Sequence, residues 1–379
     1  MSYLDPTPPE KPGCLGQELP SESLRLPLMS IRALKKLVLR NHQSPGDIMM
    51  LTAAVRDLHR AHPGFYLTDV RTSCPELWAN NPYLTPIADT DPEALFLDCE
   101  YPLVHRSNEV RVHFLHGFIE FLNERLGLGI QPTELRGDLH LSAAERDGIS
   151  PIRKLTGAGM PYWVVAAGGK YDFTIKWWES RRYQRVVDHF RGTLAFVQIG
   201  ESGHFHPPLN HVIDLRGQTS LRELVGLVFH ADGVVCPVTF LMHLVAALPP
   251  RVPGRPRSAI VIAGGREPVH WEAYPDHDFL HTIGRLPCCL EGGCWRSRAV
   301  PLHDGEIHDQ SLCSDLADSL PRCMDLISPE QVIDVIERKL AAGRAKTLRP
   351  EESILLAEHW RRDEREEFGL IGNRAAEPP

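Results

Sequence analysis

Leu37-Val-Leu-Arg-Asn-His-Gln-Ser-Pro-Gly-Asp47 joins a short apolar strand to a polar turn and ends on a carboxylate. Downstream, Ile48, Leu51, Val55 and Leu58 recur at helical spacing until His62-Pro63-Gly64, which predicts a helix carrying Asp47 in its first turn. Strand, glycine-containing turn and helix open a βαβ unit. Such units bind ligands at the carboxyl ends of their strands. Asp47 therefore sits where chemistry would be done.

The same pattern recurs along the chain. Strands are expected at Lys36–Arg40, Phe65–Val70 and Ala94–Leu97, with a helix over Val112–Arg125. A polar stretch from Ile130 to Leu155 reads as a linker. Three apolar runs then each end in glycine: Trp163-Val-Val-Ala-Ala-Gly168-Gly169, Leu194-Ala-Phe-Val-Gln-Ile-Gly200 and Ala259-Ile-Val-Ile-Ala-Gly264-Gly265. Continuous apolar strands suit a parallel sheet covered on both faces. A terminal glycine lets the backbone turn tightly and a ligand come close. Ser220-Leu-Arg-Glu223 is a capping box opening a helix through His230, followed by strand Gly233–Cys236 and helix Thr239–Leu248. Ser328-Pro-Glu-Gln331 opens another helix with Val332, Ile333, Ile336 and Leu340 on one face, and a charged helix is expected from Pro350 to Phe368.

These elements predict an α/β protein of two Rossmann-like domains facing a central cleft. The expected divisions are a Pro-rich lead-in over 1–30, a first domain over 31–155, a second over 156–345 and a helical tail over 346–379. At 379 residues the length suits two or three domains of about 150 residues each. A net charge of -8 argues against nucleic acid as the main partner, since such proteins carry a basic face. The lead-in lacks the apolar core of a signal peptide, and no apolar run approaches the roughly 18 residues of a membrane span. A cytoplasmic protein, able to work at the inner membrane surface, is expected. Nine cysteines in such a chain do not suggest a disulfide framework. Five of them, Cys288, Cys289, Cys294, Cys313 and Cys323, fall in a short insert over 287–325. Four thiolates are a ligand set for structural zinc or iron, with Cys289, Cys294, Cys313 and Cys323 as the favoured four and Cys288 as the substitute.

Several segments together resemble the family 9 glycosyltransferases, the ADP-heptose heptosyltransferases. They are Ser44-Pro45-Gly46-Asp47, His62-Pro63-Gly64, Asn80-Asn81-Pro82-Tyr83, Lys176-Trp177-Trp178, Asp214-Leu215-Arg216-Gly217 and Thr239-Phe-Leu-Met-His243, in the family's order. The resemblance spans about residues 36–345 and implies the GT-B fold. It also implies inverting transfer of heptose from ADP-heptose to a hydroxyl of a lipopolysaccharide core sugar or a protein serine, with no catalytic metal. The cysteine insert resembles the metal finger of the autotransporter heptosyltransferases, which implies one iron and a homo-oligomer. One turn departs from the family pattern: Val238-Thr239-Phe240 stands where the family has an acidic residue and a glycine. Two other functions stay open: transfer from another nucleotide sugar, and non-catalytic binding of a nucleotide sugar by an assembly protein.

Within this resemblance Asp47 is the candidate base, taking the acceptor's proton as the new C–O bond forms. Its plain alternative is a helix cap. Lys176 would offset charge growing on the leaving diphosphate, with Lys170 as an alternative in the same loop. Gly46, Gly200, Glu201, Thr239, Phe240 and His243 form the candidate donor-binding set. Backbone N–H groups at the helix start near Thr239 can hold phosphate without a charged side chain. His243 could equally be a packed core residue, and Glu201 a surface one. His204 and His206, in Gly-His-Phe-His-Pro-Pro, read as a polar turn.

Overall fold

Leu37, Val38 and Leu39 are buried because β1 (Lys35–Asn41) is the central strand of a three-stranded parallel sheet. It lies between β2 (Tyr66–Thr72) and β3 (Ala94–Asp98), with Leu37 opposite Thr68 on one side and Leu95 on the other. The structure is a computed structural model describing residues 34–100, 103–157, 159–299 and 311–345. The lead-in over 1–30 and the helix expected over Pro350–Phe368 lie outside the described residues.

Helix α1 (Pro45–Ala61) follows β1 with proline in its first turn, where a missing N–H costs nothing. Every residue from Ile48 through Leu58 is buried, so the middle of the helix is enclosed on all sides. Arg56 and Asp57 are buried as a pair at 2.9 Å, and Arg56 also donates to the carbonyls of Glu134 (2.9 Å) and Arg136 (2.8 Å). Those bonds fasten the polar stretch beyond residue 130 to α1. Helix α2 (His116–Leu126) starts four residues later than expected. The Phe114 N–H instead donates to the Trp271 carbonyl at 2.9 Å, and the Leu115 N–H to His113 Nδ1 at 3.2 Å. The expected linker also contains two short helices, α3 (Ala143–Asp147) and α4 (Pro151–Thr156). A Ser142/Glu145 capping box starts α3, and Pro151 sits in the first turn of α4.

The second sheet has six parallel strands. In chain order they are β4 (Tyr162–Ala166), β5 (Ala195–Ile199), β6 (Ile213–Asp214), β7 (Gly233–Pro237), β8 (Ser258–Gly264) and β9 (His277–His281). Spatially they run β6-β5-β4-β7-β8-β9, the doubly wound order, which reverses between β4 and β7. Side chains alternate between two cores as a pleated strand requires. Val164, Val197, Val234 and Val261 face the core shared with α1, whereas Trp163, Phe196, Val235 and Ile260 face the other. Helices α6 (Leu221–His230) and α7 (Phe240–Ala247) cover the first face. Helix α5 (Ser180–His189) covers the second, together with α10 (Pro329–Ala345). Short helix α8 (Val269–Glu272) follows β8, and a hairpin of β10 (Leu316–Ala317) and β11 (Leu320–Pro321) leads into α9 (Arg322–Asp325). No helix among the described residues is long and apolar enough to cross a membrane.

Candidate active site

Helices α1 and α7 meet so closely that a Cβ on Gly46 would lie 3.1 Å from His243 Cδ2. This contact brings the first sheet's ligand-binding end against the switch point of the second. A cavity of about 1250 Å³ opens there, lined from the first half by Ser44, Gly46 and Asp47 and from the second by the loops after β4, β5, β7 and β8. The volume exceeds the roughly 300–1,000 Å³ typical of ligand pockets.

Asp47 accepts a hydrogen bond from the Ser44 N–H at 2.9 Å, so it caps α1 while lining the cavity. Across the cleft Lys170 donates to Ser44 Oγ at 2.7 Å, tying the β4 loop to the start of α1. The glycines here are sterically required. Gly168 has φ +123°, and a Cβ on it would lie 1.9 Å from the Phe205 carbonyl oxygen. A Cβ on Gly200 would lie 2.4 Å from the His206 ring. The loops after β4 and β5 can approach only with glycine at both positions, and they close on each other through Gly169 N–H to Phe205 O at 2.9 Å. Glu201, beyond Gly200, is exposed and lies 3.3 Å from His204 in an ion-pair contact along the same turn.

Lys176 is paired. Its ammonium lies 2.7 Å from Glu267 Oε1, and Arg266 donates to the same oxygen. Glu267 is buried; burial would raise its carboxyl, but the Arg266 and Lys176 charges outweigh that and hold it below its usual value. Arg266 lies over the rings of Trp295, 5.0 Å away, and Phe173, 4.8 Å away. Two cations and one carboxylate leave a net positive charge on this wall.

Thr239 is the N-cap of α7 in extended conformation, with Phe240 as the helix's first residue. Both line the cavity, at the helix end where first-turn N–H groups lack intrahelical partners, although the Met242 N–H donates to the Thr239 carbonyl at 3.2 Å. Val238 is buried and brings no charge. His243 is buried and bonds through Nδ1 to the Tyr274 hydroxyl at 2.8 Å. Burial is the main cause that pushes its pKa well below normal, and the Lys176 charge adds to it, leaving the ring neutral. Beside it Glu272 is moved the other way: burial, then the Glu267 charge, raise its carboxyl to about 8.

Glu267 and Glu272 are functional candidates that the sequence reading missed. The available signal was a charged Arg266-Glu267 pair directly after a glycine-ended strand. The segment does not show that Lys176 reaches Glu267.

The metal site expected at Cys289, Cys294, Cys313 and Cys323 is corrected. Among the described residues no group of three or more His, Cys, Asp or Glu is placed to hold a metal ion. The thiols turn to backbone carbonyls instead: Cys289 to Thr282 at 3.5 Å and Cys313 to Asp315 at 3.2 Å. Burial is the main cause that raises Cys323 to about 12 and Cys288 to about 11, with nearby sulfurs adding to it, so both are neutral thiols. Their visible work is packing. A Cβ on Gly265 would lie 3.0 Å from Cys289 Sγ, and the Cys294 N–H donates to the Gly265 carbonyl at 3.1 Å. The cysteines thus brace the turn that carries Arg266 and Glu267 into the cleft.

No known protein family's sequence profile matches the chain. No curated protein sequence matches it. Solved structures do. The family 9 glycosyl transferase from Veillonella parvula DSM 2008 is 14% identical with a TM-score of 0.53, the match covering 81% of this chain and 98% of that one. The iron-containing dodecameric glycosyltransferase TibC from enterotoxigenic E. coli H10407 is 16% identical with a TM-score of 0.53, covering 82% of this chain and 76% of that one. TibC in complex with ADP-D-beta-D-heptose gives the same values. At such identities the likeness shows the fold: an α/β chain with parallel sheets resembling those of the GT-B heptosyltransferases.

Proposed function

We propose that the chain is an inverting glycosyltransferase that moves heptose from ADP-heptose to a hydroxyl of a lipopolysaccharide core sugar or a protein serine. The observation that carries this is one cavity with Asp47 on one side and the Lys176–Glu267–Arg266 group on the other, at the carboxyl ends of two parallel sheets. The acceptor oxygen attacks the anomeric carbon and forms the new C–O bond as its proton passes to Asp47. The bond to the diphosphate breaks with its electron pair on the phosphate oxygen. Lys176 and Arg266 supply the net positive charge facing that oxygen, and the first turn of α7 supplies N–H donors. Gly168 and Gly200 let the loops after β4 and β5 close on each other at the edge of the cleft.

The adenine nucleotide and the heptose come from the resemblance and from the ADP-heptose bound by TibC. Val238 and Phe240, in the turn that faces the donor, favour testing other nucleotide sugars beside it. Calorimetric titration with ADP, UDP and GDP is the test. The expected result is saturable binding of ADP in preference to the other two. A preference for UDP or GDP would replace the donor, and binding of none would overturn the enzyme reading.

A further inference from the structure

Five acidic side chains line the cavity: Asp47, Glu76, Glu201, Glu267 and Glu272. Asp47 caps α1, Glu201 lies exposed at the rim, and Glu267 is engaged by two cations. Glu272, at the end of α8, is different. Its side chain is 8% exposed, and its Oε2 has no hydrogen-bond partner; His243 Nε2 lies 3.5 Å from it, within ion-pair range only. A buried carboxyl oxygen without a partner loses the bonds it would make to water, a cost of the kind a ligand's hydroxyl removes. The buried indole Nε1 of Trp295, on the same wall, is likewise without a hydrogen-bond partner. The β7–α7 turn, Val238-Thr239-Phe240, offers no charged side chain in this region.

Given the nucleotide-sugar reading above, we propose that Glu272 is the specificity-determining carboxyl that hydrogen-bonds the hydroxyls of the transferred glycosyl group. A neutral carboxyl both donates and accepts, which matches a sugar hydroxyl doing the same. The titratable groups facing Glu272 are Glu267 and Arg266 from its own loop, Tyr274 just beyond α8, Lys176 after β4, Asp47 of α1, His243 of α7 and His113 ahead of α2. Burial holds both histidines neutral.

The test compares each bare nucleotide with its sugar nucleotide on the full chain: ADP with ADP-heptose, GDP with GDP-mannose, and UDP with UDP-glucose. The quantity read is the gain in affinity from the neutral sugar, in whichever pair binds tightest. Glu272→Leu is expected to cut that gain about ten-fold and to leave bare-nucleotide affinity unchanged. Glu272→Gln, an uncharged mimic, is expected to keep it. As pH rises from 7 to 9 Glu272 ionises, losing a donor and becoming a stronger acceptor, so the wild-type gain should change while that of Glu272→Gln stays constant. That pH comparison decides the matter alone if Glu272→Leu fails to fold. A gain that survives Glu272→Leu, or changes equally with pH in Glu272→Gln, overturns the assignment. So does a wild type that binds a bare nucleotide but gains nothing from any neutral sugar. A wild type that binds no nucleotide at all overturns the nucleotide-sugar reading and this assignment with it.

Discussion

Replacing Asp47 with asparagine is expected to lower glycosyl transfer by about 10²–10⁴-fold, the range for removing a general base. Nucleotide affinity and folding stability should not change. The asparagine oxygen can still accept from the Ser44 N–H, which Asp47 holds at 2.9 Å, so the cap on α1 survives while the proton acceptor is lost. Alanine would remove both functions and add a cap loss of about 1 kcal/mol. The asparagine variant therefore separates the two roles of this residue. Single-turnover transfer, measured beside calorimetric nucleotide binding and urea unfolding, reads them independently. Full activity in Asp47→Asn would leave Asp47 as a cap only and require another base.

The second large effect is on stability. Glu267→Ala should destabilise the fold by about 3–5 kcal/mol, the usual cost of breaking a buried ion pair from one side. Glu267 is 1% exposed and holds Lys176 and Arg266, so its removal leaves two cations without their counter-charge. The pH dependence follows in sign. The Glu267 carboxyl titrates below its unfolded value, so its contribution is present above that value, about 4.3, and is lost as pH falls through the folded one. Urea unfolding at pH 7 and at progressively lower pH checks both statements. The variant's deficit should shrink in acid, where the wild type loses the same interaction. A deficit that stays constant with pH would assign the loss to packing.

Much of the fold was legible for a physical reason. Strands buried on both faces need continuous apolar sequence, and β4, β5 and β8 show it as Trp163–Ala167, Leu194–Ile199 and Ala259–Ala263. Helix α1 was readable because Ile48, Leu51, Val55 and Leu58, all buried, recur at helical spacing. The missed elements lack such runs. Strand β6 has two residues, and the edge strand β9, His-Asp-Phe-Leu-His, is only half buried and so keeps polar residues. Helix α5 buries Tyr183, Val186 and Val187, a stripe diluted by four surrounding arginines and histidines, Arg181, Arg182, Arg185 and His189.

The candidate site divides in the same way. Asp47, Lys176 and Thr239 could be placed because each follows a strand end in the sequence. Glu267 and Glu272 gain their meaning only from residues distant in the chain, Lys176 and His243. The cysteines show the opposite limit. Their density suggests a ligand set, but coordination depends on how four thiols are aimed, and the thiols of Cys289 and Cys313 are aimed at backbone carbonyls.

A crystal structure of the protein with ADP-heptose tests the central claim most directly. The account predicts density in the cleft, with the diphosphate between the first turn of α7 and the Lys176–Arg266 wall, and the sugar between Asp47 and Glu272. Density for the nucleotide outside this cleft, or an empty cleft at saturating ligand, would contradict it.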